Sequence, residues 1–519
     1  MNLAHLKKIR VFISLLFFVL TSYLFIDLSS SFAAKGSDYI LYLQFIPSTV
    51  KFVNLITFAS IGFIIFLIVT LLFGRVYCSS ICPMGTLQDI ISFISSKFRK
   101  KSDYRYIKRK TVLWYSFLII TLIFFISGTL FAVNMLDPFS NFGRIISTFV
   151  RPLVIAVNNL ISFSLTNLNV YDLYPVEFKG LNWETLFFPA AILILVAWLS
   201  LKNGRLYCNS VCPVGALLGL VSRYSLFKIV VDENNCIACG ECELVCKSGC
   251  IESLEKVIDF DRCVGCFNCF NTCPTNGLKY QFSLFTVNNY SIPGLDANKR
   301  SFLKQTLLYT IGTAVSLFAQ QKIAVYKENK VKIFRNTPIS PPGSISIRHF
   351  TNSCTACHLC ISSCPTQVLQ PAFLEYGFLG ILQPRLDNKK GFCTHDCTIC
   401  SEVCPSGAII PIHVEQKKLT QLGRAKFIKE NCVVETQKTE CGACAEHCPT
   451  KAVKMVPYEK LMIPEVNDEI CVGCGACEYA CPTIPYKSIY VEGNEVHLLV
   501  QKPEEQKLEQ FDLNDQFPF

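Results

Sequence analysis

Six runs of cysteine dominate the chemistry available to this 519-residue chain. Four of them follow the spacing C-x2-C-x2-C-x3-C: Cys236, Cys239, Cys242, Cys246; then Cys263, Cys266, Cys269, Cys273; then Cys354, Cys357, Cys360, Cys364; and Cys471, Cys474, Cys477, Cys481. Two stretched versions lie between the last two: Cys393, Cys397, Cys400, Cys404, with a wider first gap, and Cys432, Cys441, Cys444, Cys448, with a much wider one. Such a loop wraps a [4Fe-4S] cube, with three thiolates of one run on three corners and the fourth ligand from a partner run. Runs must then come in even numbers, and six satisfy this. Five of the six end in Cys-Pro (Pro274, Pro365, Pro405, Pro449, Pro482) followed by Thr or Ser.

Other uses of cysteine fit less well. Tetrahedral zinc takes two separated C-x2-C pairs and has no use for a third cysteine two residues on. A disulfide framework suits a short secreted chain. Cys354-Thr355-Ala356-Cys357-His358 matches a c-type haem attachment signature, but it sits inside a complete run whose remaining cysteines a haem would leave idle.

The elements that position these runs differ between the two ends of the chain. Hydrophobic residues make up 51% of the sequence and are concentrated at the front. Apolar stretches at 11–26, 52–73, 112–133 and 186–201 approach the roughly 20 residues that cross a bilayer. None has an interior Asp, Glu, Lys or Arg, each of which costs about 2.5–3.5 kcal/mol at mid-membrane. A proton pump, which needs such groups, is disfavoured. The segment 97–110 holds eight basic residues, so the positive-inside rule makes it cytoplasmic, together with the Lys7-Lys8-Ile9-Arg10 start. The first span reads as an uncleaved anchor rather than a signal peptide.

The membrane half is duplicated. Gly74-Arg75-Val76-Tyr77-Cys78-Ser79-Ser80-Ile81-Cys82-Pro83-Met84-Gly85 returns as Gly204-Arg205-Leu206-Tyr207-Cys208-Asn209-Ser210-Val211-Cys212-Pro213-Val214-Gly215. Pseudo-twofold packing of two hairpins would bring Cys78, Cys82, Cys208 and Cys212 together, either as a further iron-sulfur site or as metal-free turns. Of seven histidines only His5 precedes His349, so no span offers the ligand pair of a b-type haem.

After the first run pair, Asn298-Lys299-Arg300-Ser301-Phe302-Leu303-Lys304 precedes a mild apolar stretch, either a twin-arginine export signal with Lys in place of the first Arg or an interfacial helix with everything after it cytoplasmic. A Pro-rich linker follows and the last residues form a charged tail. The expected fold is a multidomain membrane protein. Residues 1–225 form a four-helix transmembrane bundle of two repeated hairpins, and 226–290 a two-cluster α+β ferredoxin module. The signal-like helix covers 291–321 and the linker 322–350. A C-terminal α+β four-cluster polyferredoxin domain covers 351–500, and the tail 501–519. Cys250 is left over.

The two GR-x-Y-C-x3-C-P-x-G repeats and the first run pair resemble the NapH-type membrane polyferredoxins of periplasmic nitrate reductase systems. The KR-x-FLK signal, the Pro-Pro-Gly linker and the last four runs resemble the partner NapG-type ferredoxin, as though the two were fused. The resemblance implies a bacterial inner-membrane, multi-pass protein that takes electrons from quinol. Its C-terminal domain would be periplasmic and would pass them to a reductase or cytochrome there. It also implies one cube on Cys236, Cys239, Cys242 and Cys273 and a second on Cys263, Cys266, Cys269 and Cys246. In the rear domain the pairing is adjacent or nested, and nesting would place the two irregular runs together.

The alternative function is an electron-donating assembly factor for a respiratory metalloenzyme, of the kind that shares the C-x3-C-P repeat but ends in a β-rich domain. No nucleophile-base pair, phosphate loop or nucleic-acid motif is present, and the net charge of +10 is used by membrane topology. Six cubes require about 24 irons per chain. Metal analysis of anaerobically purified protein should return at least that figure, and a clearly smaller one would contradict the reading.

Overall fold

The computed structural model describes residues 4–55, 61–98, 104–108, 111–179, 183–282 and 330–501. The signal-like segment and the C-terminal tail expected from the sequence lie outside the described residues. The front half is helical: α1 (Ala4–Ile26), α2 (Ser31–Tyr42), α3 (Phe45–Leu55), α4 (Gly62–Phe73), α5 (Val76–Ser80), α6 (Pro83–Phe98), α7 (Thr111–Ile126), α8 (Phe131–Leu136), α9 (Pro138–Ile145), α10 (Arg151–Thr166), α11 (Trp183–Asn203) and α12 (Pro213–Ser222). A π-helical turn, Ile146–Val150, runs α9 into α10.

Three of the described helices are long and apolar enough to cross a membrane: His5–Ile26, Pro138–Thr166 and Trp183–Asn203. The first and last match expected spans. The other two expected spans contain shorter apolar helices, α4 with 12 residues and α7 with 16. The stretch 52–73 is divided between α3 and α4, and α7 stops just before Gly128, which is left-handed at φ 79°. The Pro138–Thr166 helix was not expected, because Asn141, Arg144 and Arg151 break its apolar run. Its start is firmly set: Asp137 accepts from the N–H groups of Phe139 (3.1 Å) and Ser140 (2.9 Å), and Pro138 occupies the first turn.

The helices lie between two cysteine-rich modules. The residues after α12 form the first module, in which β1 (Phe227–Val231) pairs antiparallel with β4 (Leu278–Phe282), and β2 (Ile251–Glu252) with β3 (Val257–Ile258). It meets Leu6 of α1, the end of α4 through stacked Phe73 and Phe227, the start of α7 through Trp114, and the end of α11, where Arg205 N–H donates to Lys247 O. The second module, residues 330–501, contains three strand pairs: β5 (Leu369–Pro371) with β6 (Pro384–Leu386), β7 (Thr420–Phe427) with β10 (Ile489–Leu499), and β8 (Val453–Tyr458) with β9 (Leu461–Val466).

The second module takes the other ends of the helices. Ser30 just beyond α1 donates to Ser363 O (2.9 Å), Asn54 donates to Ser406 O (2.7 Å), and Asn134 beyond α7 donates to Ile381 O (3.0 Å). A 22-residue helix such as His5–Ile26 is about 33 Å long. The contacts at Leu6 and Ser30 therefore place the two modules at opposite ends of α1.

One carboxylate ties the first module to the bundle. Asp89 of α6 receives Arg205 (2.6 Å), Lys247 of the module (3.0 Å) and Arg10 of α1 (3.2 Å). Burial pushes the Asp89 carboxyl up, but the three cations outweigh it and hold it well below the usual carboxylate range. Its contribution to stability is therefore complete at neutral pH and is lost only as pH falls through the lowered folded value. Breaking such a buried set by Asp89→Asn should cost about 3–5 kcal/mol. A thermal melt should show a lowered midpoint, with proteolysis between residues 203 and 282. An unchanged melt would remove Asp89 as the latch.

Candidate functional site

The four regular runs share one loop. In each, the residues on either side of the second cysteine are left-handed: Ala238 and Gly240, Gly265 and Phe267, Ala356 and His358, Gly473 and Gly475, with φ between 49° and 83°. Two such turns curl the chain around the thiols, and glycine suits them because it carries no Cβ. His358 thus stands where two of the other runs have glycine. Its ring is buried, its Nε2 lies 3.0 Å from Leu382 O, and burial with the nearby Arg144 charge pushes it down to about 3, so it is neutral. The haem-like signature is part of this loop.

The structure brings the runs together in adjacent pairs. Cys273 joins Cys236, Cys239 and Cys242 around one cavity, and Cys246 joins Cys263, Cys266 and Cys269 around a second. In the rear module Cys404 lies within electrostatic reach of Cys354, Cys357 and Cys360, and Cys364 lines a cavity with Cys393, Cys397 and Cys400. Cys481 approaches Cys432, Cys441 and Cys444, while Cys448 approaches Cys471, Cys474 and Cys477. The nested arrangement does not form. The β5–β6 hairpin lies between the third and fourth runs and β8–β9 between the fifth and sixth, so each folds back on its chain neighbour. Cys393 N–H donates to Cys474 O (2.9 Å), which joins the two pairs.

These surroundings fit iron-sulfur cubes. Among the described residues no three or more His, Cys, Asp or Glu close up tightly enough for a single metal ion, whereas cube ligands are spread over separate irons. Hydrogen-bond donors point at the sulfurs. The Thr or Ser after each Cys-Pro reaches its cysteine: Thr275 to Cys273 (3.8 Å), Thr366 to Cys364 (3.6 Å), Ser406 to Cys404 (3.8 Å), Thr450 to Cys448 (3.7 Å) and Thr483 to Cys481 (3.1 Å). Backbone N–H groups of Gly277, Ala356 and Ile409 donate to Cys273, Cys354 and Cys404. Such donors are one of the means by which protein tunes a cluster. The sequence displayed the hydroxyls, but their role became visible only with the geometry. Cys250, left over in the sequence, is buried with its Sγ 3.5 Å from that of Cys246 and contacts Cys263 as well.

The duplicated motif builds a second kind of site, between the modules. Cys78, Cys82, Cys208 and Cys212 are all buried and each lies within electrostatic reach of the other three. The motif arginines cross over. Arg75 of the first repeat donates to Cys208 O (3.3 Å) and Asn209 Oδ1 (2.8 Å) of the second, and Arg205 of the second donates to Cys78 O (2.6 Å) of the first. Arg75 also lies 3.9 Å from Cys78 Sγ, and Gln88 Nε2 lies 3.2 Å from Cys208 Sγ. The closing glycines allow the approach: a Cβ on Gly85 would collide with Cys78 O and Arg205, and one on Gly215 with Cys208 O and Arg75. Each Cys-Pro starts a helix, α6 or α12. Arg75 and Arg205 are fully buried, and Arg75 Nε has no partner among protein atoms.

Comparison with known proteins agrees with this chemistry. The family described as "4Fe-4S binding domain" matches residues 55–101 and 185–231, the two C-x3-C-P repeats, and the "4Fe-4S dicluster domain" matches 439–484. YccM of Escherichia coli is 25% identical over 265 residues, 50% of this chain and 63% of that one. The methylamine utilization ferredoxin-type protein MauN of Paracoccus denitrificans is 30% identical over 175 residues, 33% of this chain and 48% of MauN. The ferredoxin-type protein NapF of Escherichia coli is 28% identical over 136 residues, 26% of this chain and 74% of NapF. The chain thus spans about half to two thirds of YccM and MauN. No solved structure matches. Both halves of the chain thus contain regions similar to 4Fe-4S binding families, and the relatives named here carry electron-transport or ferredoxin-type names.

Proposed function

We propose that the chain is a membrane-spanning electron conduit, with six cubes in its two modules and a further iron-sulfur centre on Cys78, Cys82, Cys208 and Cys212. The observation that carries this reading is the position of those four thiols. They lie in the interior of a helical bundle whose opposite ends hold the two modules. Arg75 touches Cys78 on one side and donates to Asp261 O (3.1 Å) of the first module on the other. Tyr77 and Tyr207, next in the motif, separate the thiols from Asp137 and the second module. In chain order of contact, sulfur sets follow one another from Cys236 at one end to Cys432 at the other.

The bound clusters would supply one-electron storage at each station. The protein keeps them apart from water, orders them in space and directs N–H and O–H donors at their sulfurs. In this proposal the protein lies in a bacterial inner membrane as a multi-pass protein. The first module is cytoplasmic, next to the basic segment 97–110, and the C-terminal domain is periplasmic. The opposite placement of the modules favours this, because the chain between Phe282 and Lys330 joins the two ends. The quinol pool as one redox partner, a periplasmic reductase or cytochrome as the other, and the fusion of a NapH-type with a NapG-type subunit rest on the sequence resemblance.

Sealed proteoliposomes test the conduit. An impermeant reductant on one face should reduce an impermeant acceptor on the other. In a variant with Cys78, Cys82, Cys208 and Cys212 all changed to Ser, this should fall at least tenfold, with iron lost from that centre alone and each module still reducible from its own side. Undiminished transfer in that variant would end the proposal.

A further inference from the structure

We infer that Arg144 is a positioning residue that sets the reduction potential of one cluster, the one assigned to Cys354, Cys357, Cys360 and Cys404. The inference deepens the conduit reading and rests on those cysteines being ligands.

Arg144 belongs to no motif, yet among the described residues it is one of three arginines with no exposure, the others being Arg75 and Arg205. It stands at the junction of the two halves. Its neighbour Gly143 meets the Cys357 carbonyl so closely that a Cβ there would collide with it. The guanidinium is fixed from three directions: Nε donates to Ser140 O (3.2 Å), Nη2 donates to Asn134 O, and the group lies 5.3 Å from the centre of the Phe188 ring. Within electrostatic reach are Cys354 and Cys357 on one side and Tyr207, itself beside Cys212, on the other.

The charge is only partly met by a carboxylate, that of Asp137. Asp137 is near, but both its oxygens already accept from the Phe139 and Ser140 N–H groups and the Ser140 hydroxyl, and it makes no ion pair with Arg144 among the described residues. Nη1 has no protein partner at all. A buried guanidinium left so would be costly unless an anion faces it. A centre held by four thiolates is such an anion. A fixed cation beside it favours the state with one more electron, the more so in a medium that screens poorly. Arg75 occupies the equivalent place on the inner side of the four-cysteine site, with its Nε likewise unpartnered. Each junction flanking the central site thus carries at least one fully buried guanidinium.

The test is a redox titration of the full-length protein followed by paramagnetic resonance. In Arg144→Gln one cluster should move to a more negative midpoint while the others hold, with iron content unchanged. Arg144→Lys, which keeps the charge, should restore most of the difference. Asn134→Asp supplies a second route, since it adds a negative charge on the residue whose main-chain O holds the guanidinium and should move the same cluster the same way. Should Arg144→Gln lose iron, Asn134→Asp decides alone. Unmoved midpoints in an iron-complete variant overturn the inference, and so does an equal shift of every cluster. The ligand reading fails separately, if Cys404→Ser keeps all iron and every signal of the unaltered protein.

Discussion

An anion inside an apolar interior must be met by donors and cations, and most of this architecture answers to that constraint. A cube on four thiolates is charged, and burying charge without partners is prohibitive. Each thiol set is accordingly surrounded by groups that point at sulfur: the hydroxyls after Cys-Pro, the N–H groups of tight turns, and, where the sets lie deepest, whole guanidinium groups. The repeated motif carries this furthest. Because Arg75 and Arg205 each serve the opposite repeat, neither half can form the site alone, and the pseudo-twofold pairing of the hairpins is fixed by the same contacts that steady the thiols.

The same contacts organise the molecule at larger scale. Arg205 leaves the four-cysteine site to meet Asp89, which also binds Lys247 of the first module and Arg10 of α1. On the far side Gly143 packs against both the Cys357 carbonyl and the Phe25 ring, with Arg144 next in the chain. Helix, thiol set and module are thus one continuous packed body, and the order of the sulfur sets follows the direction of the helices.

Much of this was legible in the sequence. Cysteine spacing survives any change of surroundings, so the six runs, the duplicated motif and the idea that Cys78, Cys82, Cys208 and Cys212 meet could all be read from position alone. What could not be read depends on distant parts of the chain. The adjacent pairing of the rear runs is decided by the β5–β6 and β8–β9 hairpins, short strands with little periodicity to betray them. The Pro138–Thr166 helix was hidden because Arg144, the residue that lowers its hydropathy, faces inward to the second module. Cys250 seemed surplus because only the folded loop sets it beside Cys246 and Cys263.

The most direct measurement is an iron-specific anomalous density map of the anaerobically prepared protein in lipid. It should show two iron groups at one end of the bundle, four at the other, and one between them at Cys78, Cys82, Cys208 and Cys212. A map with no iron among those four thiols, or with both modules on the same side of the bilayer, would contradict an electron path through the membrane.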